Sequence, residues 1–102
     1  MAIEFSGRTD VALSPSDLQH VAQRLEGCGR YELETVDVAE VRLRYRGFPR
    51  REGWPEDVVI RNDAGLVSLV VHTGSLTQVS AAVADVQSAL SDLGKSVKLQ
   101  EE

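Results

Sequence analysis

The sequence is poor in the residues that build metal sites, disulfides and nucleophilic centres: it has one cysteine, Cys28, and two histidines, His20 and His72. A single cysteine excludes a disulfide within the chain. A structural zinc site takes about four clustered nitrogen or sulfur ligands, more than these residues provide. In the first helix predicted below, His20 points away from the apolar stripe and Cys28 lies at its edge, so the two do not form a nucleophile with its base. We therefore expect a buried Cys28, a solvated His20, no metal and no other cofactor.

Long apolar runs are missing as well. No stretch approaches the roughly 20 apolar residues that cross a bilayer. The start of the chain carries Glu4 and Arg8, where a secretory signal needs an apolar stretch. We expect a cytoplasmic protein that makes no membrane contact.

The remaining composition is that of an ordinary globular domain. The 102 residues are 42% hydrophobic and 26% charged, and this length supports one hydrophobic core. The net charge of −5 opposes the phosphate backbone of nucleic acids, whose binding usually begins with a basic face. We expect a single domain over residues 1–102 that does not bind nucleic acid.

The first part of the chain predicts a strand followed by a helix. Apolar residues at odd positions between 3 and 13 predict one or two short strands, interrupted near residues 6–8. Ser14 and Pro15 then mark a helix start, as N-cap and first helical residue, and Asp17 is placed favourably at the positive end of the helix. Apolar residues at helical spacing continue to a Gly-Cys-Gly stretch that ends the helix.

The middle of the chain predicts further strands around a long loop. Residues 31–46 alternate apolar and charged side chains, as in a long strand, and Val36 and Val38 break the phase and indicate a bulge or a bend. Residues 47–55 contain two glycines and two prolines and predict a loop. The elements that follow are strands at 58–61 and 66–72 around a turn at 62–65, a helix that begins with a capping box at Ser75 and Gln78, and a short strand at 97–99.

This order of elements, β-α-β-β-β-α-β, predicts an α+β two-layer sandwich with a mostly antiparallel sheet and both helices on one face. The charged side chains of residues 31–46 then face outward. The core is expected to draw on the apolar residues that share the inward phase: Phe5, Leu18, Val21, Leu25, Leu43, Val70, Val83, Val86 and Leu90.

A row of arginines allows two interpretations. Arg42, Arg44 and Arg46 project from one face of the predicted strand at intervals of about 7 Å. Basic residues close to aromatic ones can bind single-stranded nucleic acid. However, an acidic run between Glu32 and Glu40 immediately precedes the arginines and would repel phosphate. We therefore favour pairing of these arginines with carboxylates on adjacent strands.

No pattern in the chain indicates catalysis. The turn at residues 73–75 precedes a helix N-terminus and could hold an anion, but Ser75 caps that helix without a ligand. No pair of carboxylates is set apart by apolar surroundings as a general acid and base. We expect that the protein is not an enzyme.

The loop at residues 47–55 is the strongest candidate for a partner-binding surface. It holds the only tryptophan, Trp54, together with aromatic and arginine side chains, which are enriched in binding hot spots. The alternative is that Trp54 folds back onto the core. Including the base of the loop, the residues expected to contact a partner are Arg44, Arg46, Phe48, Arg50, Arg51 and Trp54.

These features predict a non-enzymatic protein-binding module, such as an acidic inhibitor or immunity-type protein or a small accessory subunit, whose partner is another, basic protein. The alternative is a homodimeric, sensor-like domain in which two copies meet and a small ligand binds at the seam. A stoichiometric protein partner would favour the first hypothesis. A folded homodimer that a metabolite stabilises would favour the second.

Overall fold

The fold consists of one sheet and two helices. The computed structural model describes residues 2–9, 11–47, 57–72 and 75–102. Neither helix in these ranges is long and apolar enough to cross a membrane. The elements are β1 (Ile3–Arg8), α1 (Pro15–Gly27), β2 (Tyr31–Val36), β3 (Glu40–Tyr45), β4 (Val58–Asp63), β5 (Leu66–Val71), α2 (Leu76–Asp92) and β6 (Gln100–Glu101).

The six strands of the described residues form a single antiparallel sheet in the order β2-β3-β4-β5-β1-β6. Helix α1 packs against β2, β3 and α2, and α2 also packs against β5. An ion pair of 2.8 Å between Arg24 of α1 and Asp92 of α2 joins the two helices. The predicted α+β class, with an antiparallel sheet and both helices on one face, is confirmed.

Both helices begin where the sequence predicts. The Ser14 hydroxyl accepts a hydrogen bond from the Asp17 N–H, and the Asp17 carboxylate accepts one from the Ser14 N–H, while Pro15 occupies the first turn. Ser75 and Gln78 make the same reciprocal pair at α2. These capping boxes satisfy N–H groups that a helix start otherwise leaves without an acceptor.

The predicted long strand is two strands. Its bulge is confirmed, because the register of β2 against β3 shifts between Leu33 and Thr35. The shift moves the inward-facing position from odd to even residues, so that Val36 lies opposite a buried residue of β3. The chain then reverses, and the Asp37 N–H donates to the Glu40 carbonyl over 2.8 Å. The phase break thus marks both a bulge and the start of a hairpin.

The turn between β4 and β5 is as short as a hairpin allows. Asp63 and Leu66 are the last paired residues. Ala64 and Gly65 between them have φ values of 50° and 89°. Two successive positive φ angles are the requirement of a type I′ turn, whose twist matches that of the strands it joins.

The first strand runs without the predicted interruption. Gly7 lies inside β1, where a Cβ atom would be 2.5 Å from the Lys98 carbonyl oxygen and 2.7 Å from a methyl group of Val97. Glycine is needed here because the segment before β6 crosses directly over β1. Val11, expected to continue the strand, lies outside it and is exposed.

The hydrophobic core lies between the helices and the sheet. Phe5 and Val83 pack against its edge and are partly buried. Val70 is buried but lies outside this cluster, because it alternates to the opposite face of the sheet, where it pairs with Val59. Val70 is therefore buried, as predicted, but it does not share the inward phase of the other predicted core residues. The predicted core residues that are buried in the cluster are Leu18, Val21, Leu25, Leu43, Val86 and Leu90.

Candidate functional site

The face of the sheet turned away from the helices, here called the outer face, carries a set of ion pairs. The Arg44 guanidinium lies between Glu32 and Glu34 of β2, at 3.0 Å and 3.1 Å. The bulge in β2 brings both carboxylates to this face. The contact of Arg44 Nε with Glu34 is an ion pair without hydrogen-bond geometry, and the contact with Glu32 is a hydrogen bond. The predicted pairing of Arg44 with carboxylates on the adjacent strand is confirmed.

A second group of charges on the outer face centres on Glu40. Arg42, on the same strand, donates to one carboxylate oxygen over 2.9 Å, and Arg61 of β4 donates to the other over 2.8 Å. The hydrogen bond from Arg61, followed by that from Arg42, holds the pKa of Glu40 below its ordinary value despite partial burial. Arg42 thus pairs with a carboxylate of its own strand.

Arg46, the third arginine of the row, makes a different kind of contact. Its backbone N–H donates to the Arg30 carbonyl over 2.9 Å, and its guanidinium donates to the Tyr31 carbonyl over 3.0 Å. Both acceptors are neutral carbonyls, and Arg46 is exposed. Unlike Arg44, Arg46 pairs with no carboxylate of the described residues, so its charge is not neutralised by a direct contact there.

A cavity of about 260 Å³ opens beside Arg46, where β2 begins and β3 ends. We call it the Tyr31 cavity. The first turns of α2 close it from the other side. Its lining among the described residues consists of Gly29, Arg30, Tyr31, Tyr45, Arg46, Gln78 and Ala81.

The floor of the Tyr31 cavity is held in place by one carboxylate. The Tyr31 hydroxyl donates to Asp85 of α2 over 2.8 Å, and Arg30 donates to both oxygens of the same carboxylate. The Tyr45 ring lies against that of Tyr31, with centroids 6.1 Å apart and tilted by 34°. Burial, and then the hydrogen bond to Asp85, raise the pKa of Tyr31 well above its ordinary value of 10.0. The floor is therefore aromatic, neutral and rigid.

The chemistry of the cavity is that of binding. Tyrosine rings and a small aliphatic side chain can accept an apolar group, and Arg30 and Arg46 at the rim can pair with a carboxylate. Asp85 is engaged by Tyr31 and Arg30. In the part of the chain that the structure describes, no three His, Cys, Asp or Glu side chains come together as metal ligands would.

The two described residues of the predicted partner-binding set lie in different parts of the structure. Arg44 lies in the ion pairs of the outer face, and Arg46 borders the Tyr31 cavity. Asp57, which follows the predicted loop, accepts a hydrogen bond from the Tyr45 N–H over 2.9 Å. The described residues on both sides of the predicted loop therefore lie at the end of the sheet where the Tyr31 cavity opens. The other predicted contacts lie outside the described residues: Phe48, Arg50, Arg51 and Trp54.

Sequence reasoning missed the support of the cavity. Asp85 is one of two charged residues in α2, the other being Asp92. An acidic side chain within a largely apolar helix is a signal for a specific polar contact. The sequence pattern contained that signal but not the identity of its partners, Arg30 and Tyr31.

Cys28 and His20 are not among the described residues that line the Tyr31 cavity. Cys28 is exposed, and its thiol donates to the Leu25 carbonyl over 3.0 Å, so the expectation that it is buried is wrong. Cys28 follows the last turn of α1, beyond the residues that the helix packs inward. His20 is exposed, as expected. Residues 73 and 74 of the turn considered for anions lie outside the described residues, and Ser75 is the N-cap of α2.

No protein-family model, curated protein or solved structure gives a significant match to this chain.

Proposed function

We propose that this chain is a non-enzymatic protein-binding module, of the kind that acts as an inhibitor or as a small accessory subunit, and that its partner docks at the Tyr31 cavity. The observation that carries the proposal is the composition of this cavity. Two tyrosines form its floor and two arginines its rim. Tyrosine and arginine are among the residues that contribute most to binding energy at protein interfaces.

The size of the cavity supports a protein partner. A volume of about 260 Å³ lies below the roughly 300 Å³ at which small-molecule sites usually begin. It is large enough for one apolar side chain of a partner, which is how anchor residues fill interface pockets. The sensor-like alternative would need a second copy of the chain to enlarge the site.

The rigidity of the floor supports the same function. Tyr31 is fixed by Asp85, and Asp85 by Arg30, before any partner arrives. Side chains that are already ordered lose less entropy on binding, so more of the contact energy contributes to affinity.

The proposal includes the predicted loop. Arg46 borders the cavity and directly precedes Gly47, where the loop begins. Together with Phe48, Arg50, Arg51 and Trp54, it would form one continuous surface for the partner. Trp54 is the only tryptophan, so its emission reports on this loop alone. We expect exposed, readily quenched emission in the isolated protein. Protected, blue-shifted emission would oppose the involvement of the loop.

The docking site can be tested by site-specific cross-linking. We expect that the photo-reactive residue p-benzoylphenylalanine, placed at Gln78 in the cavity lining, forms a stoichiometric adduct with one protein in the cells that produce the chain. The control position is Asp63, an exposed residue at the hairpin end of β4. Equal adducts from both positions, or none from Gln78, would refute the proposal. An adduct between two copies of the chain would favour the homodimer.

A further inference from the structure

We infer that the Tyr31 cavity selects an acidic segment of its partner, in which an apolar side chain enters the cavity and a neighbouring carboxylate binds Arg46. This inference rests on the proposed function and names the chemistry of the partner. It differs from the expectation of a basic partner, which followed from the net charge of the whole chain.

The apolar half of the inference follows from the lining. The apolar side-chain surfaces of the described lining are the aromatic rings of Tyr31 and Tyr45 and the methyl group of Ala81. The Tyr31 hydroxyl points to Asp85 and is satisfied there, so it does not require a polar ligand. A leucine or phenylalanine side chain would fit such a surface and gain from leaving water.

The acidic half follows from how the charges around the cavity are paired. The side chain of Asp85 is only 16% exposed and lies beneath Arg30, whose side chain is 55% exposed. The Arg30 guanidinium is therefore more accessible to a partner than the Asp85 carboxylate. Arg46 adds a second positive charge, because its described hydrogen bonds go to carbonyl groups. Arginine can bind a carboxylate through two parallel hydrogen bonds.

For a group in direct contact with the cavity rim, the positive charge of Arg46 matters more than the net negative charge of the chain. The net charge of −5 is a sum over the whole chain, and physiological salt screens exposed charges from one another beyond about 8 Å. A carboxylate in contact with Arg46 lies well within that distance. The overall charge would thus slow the approach of an acidic segment, and the contact would still be favourable.

Synthetic peptides and NMR of the isotope-labelled protein test the inference. The probes are a short acidic peptide with a central Leu-Phe pair, the same peptide with its acidic residues replaced by lysine, and the acidic peptide with the Leu-Phe pair replaced by Gly-Ser. We expect the first probe alone to shift the amide signals of residues that line the cavity, among them Arg46, Gln78 and Ala81. We expect Arg46→Ala to weaken its affinity at least about tenfold, the usual effect of removing a charge-assisted hydrogen bond.

Two matched variants sharpen the test. Arg61→Ala also removes an exposed arginine, but one that is paired with Glu40 on the outer face, and should leave peptide affinity unchanged. Arg46→Glu should reverse the preference, so that the lysine peptide binds better than the acidic one. Binding of the lysine peptide to the unmodified protein with equal or higher affinity would overturn the inference and leave the proposed docking site intact. If no probe shifts cavity signals, both the inference and the docking site are refuted.

Discussion

The link between Tyr31 and Asp85 gives the most detailed prediction, because it holds the cavity floor. Tyr31→Phe removes only the hydroxyl that donates to Asp85 over 2.8 Å. Hydrogen bonds to charged groups contribute about 1.5 to 3 kcal/mol. Asp85 keeps its bonds from Arg30 in this variant, so we expect the lower end, a loss of about 1.5 kcal/mol in the free energy of unfolding.

Asp85→Ala should cost more. It removes the same hydrogen bond and leaves the hydroxyl of Tyr31, a residue only 2% exposed, without its acceptor. An unsatisfied buried polar group adds about 1 to 3 kcal/mol, so we expect a total near 3 kcal/mol. Arg30 adds little to this figure, because its side chain is more than half exposed.

Urea denaturation of the two single variants and the double variant separates these contributions. In the Asp85→Ala background, Tyr31→Phe should be neutral or stabilising, because it then removes an unsatisfied hydroxyl. The raised pKa of Tyr31 gives a second readout. The folded protein keeps the phenolic proton at a pH where the unfolded chain loses it, so stability should fall as the pH rises above 10.0, and less so in Tyr31→Phe. If Tyr31→Phe costs the same free energy in both backgrounds, the proposed support of the floor is wrong.

Two further predictions concern the rest of the fold. Gly7→Ala should lower the free energy of unfolding by about 1 to 3 kcal/mol, because its Cβ would overlap the Lys98 carbonyl. Gly27→Ala, at the end of α1, should be neutral or stabilising, because its Cβ would meet nothing within 4 Å. Thermal melts of the two variants check this, and equal melting temperatures would contradict the close crossing over β1. Asp17 accepts hydrogen bonds from Lys95 and from the backbone of Ser14, which lower its pKa below 3.8. Its contribution should be present above that pH and lost on further acidification, so Asp17→Asn should flatten the acid limb of the stability curve measured by denaturation at several pH values.

Local signals explain why the helices were predictable. A capping box and a proline each predict a helix start from a few adjacent residues. The helix starts predicted at Ser14 and Ser75 are both present in the structure. The antiparallel sheet and the α+β class follow from the order of the elements in the same way.

The hairpin between β2 and β3 was harder to predict, because its turn contains neither glycine nor proline. The reversal depends on Asp37, whose carboxylate accepts the Val38 N–H while its own N–H pairs with Glu40. Aspartate favours turns through such local hydrogen bonds. However, apolar and charged residues alternate on both sides of Asp37, and this pattern predicts one continuous strand. Only the loss of phase at Val36 and Val38 marked the position.

The candidate site was predictable only in part. The position of Arg46 at the base of the predicted loop indicates a contact residue, and Arg46 borders the cavity. The same argument predicts a contact at Arg44, but the bulge in β2 places two carboxylates around this arginine. The contact of Asp85 with Tyr31 joins residues more than fifty positions apart, and periodicity within a helix cannot identify a partner at that separation.

The affinity of the cross-linked partner for two arginine variants tests the central claim most directly. By isothermal titration calorimetry, Arg46→Ala should weaken binding by about 2 kcal/mol, as for a hot-spot residue, and change the free energy of unfolding by less than about 1 kcal/mol. Arg44→Ala should do the opposite: it should lower stability by about 1 to 2 kcal/mol, since it leaves Glu32 and Glu34 facing each other, and leave affinity nearly unchanged. Unchanged affinity for Arg46→Ala, with weakened binding for Arg44→Ala, would place the partner on the outer face and contradict docking at the Tyr31 cavity.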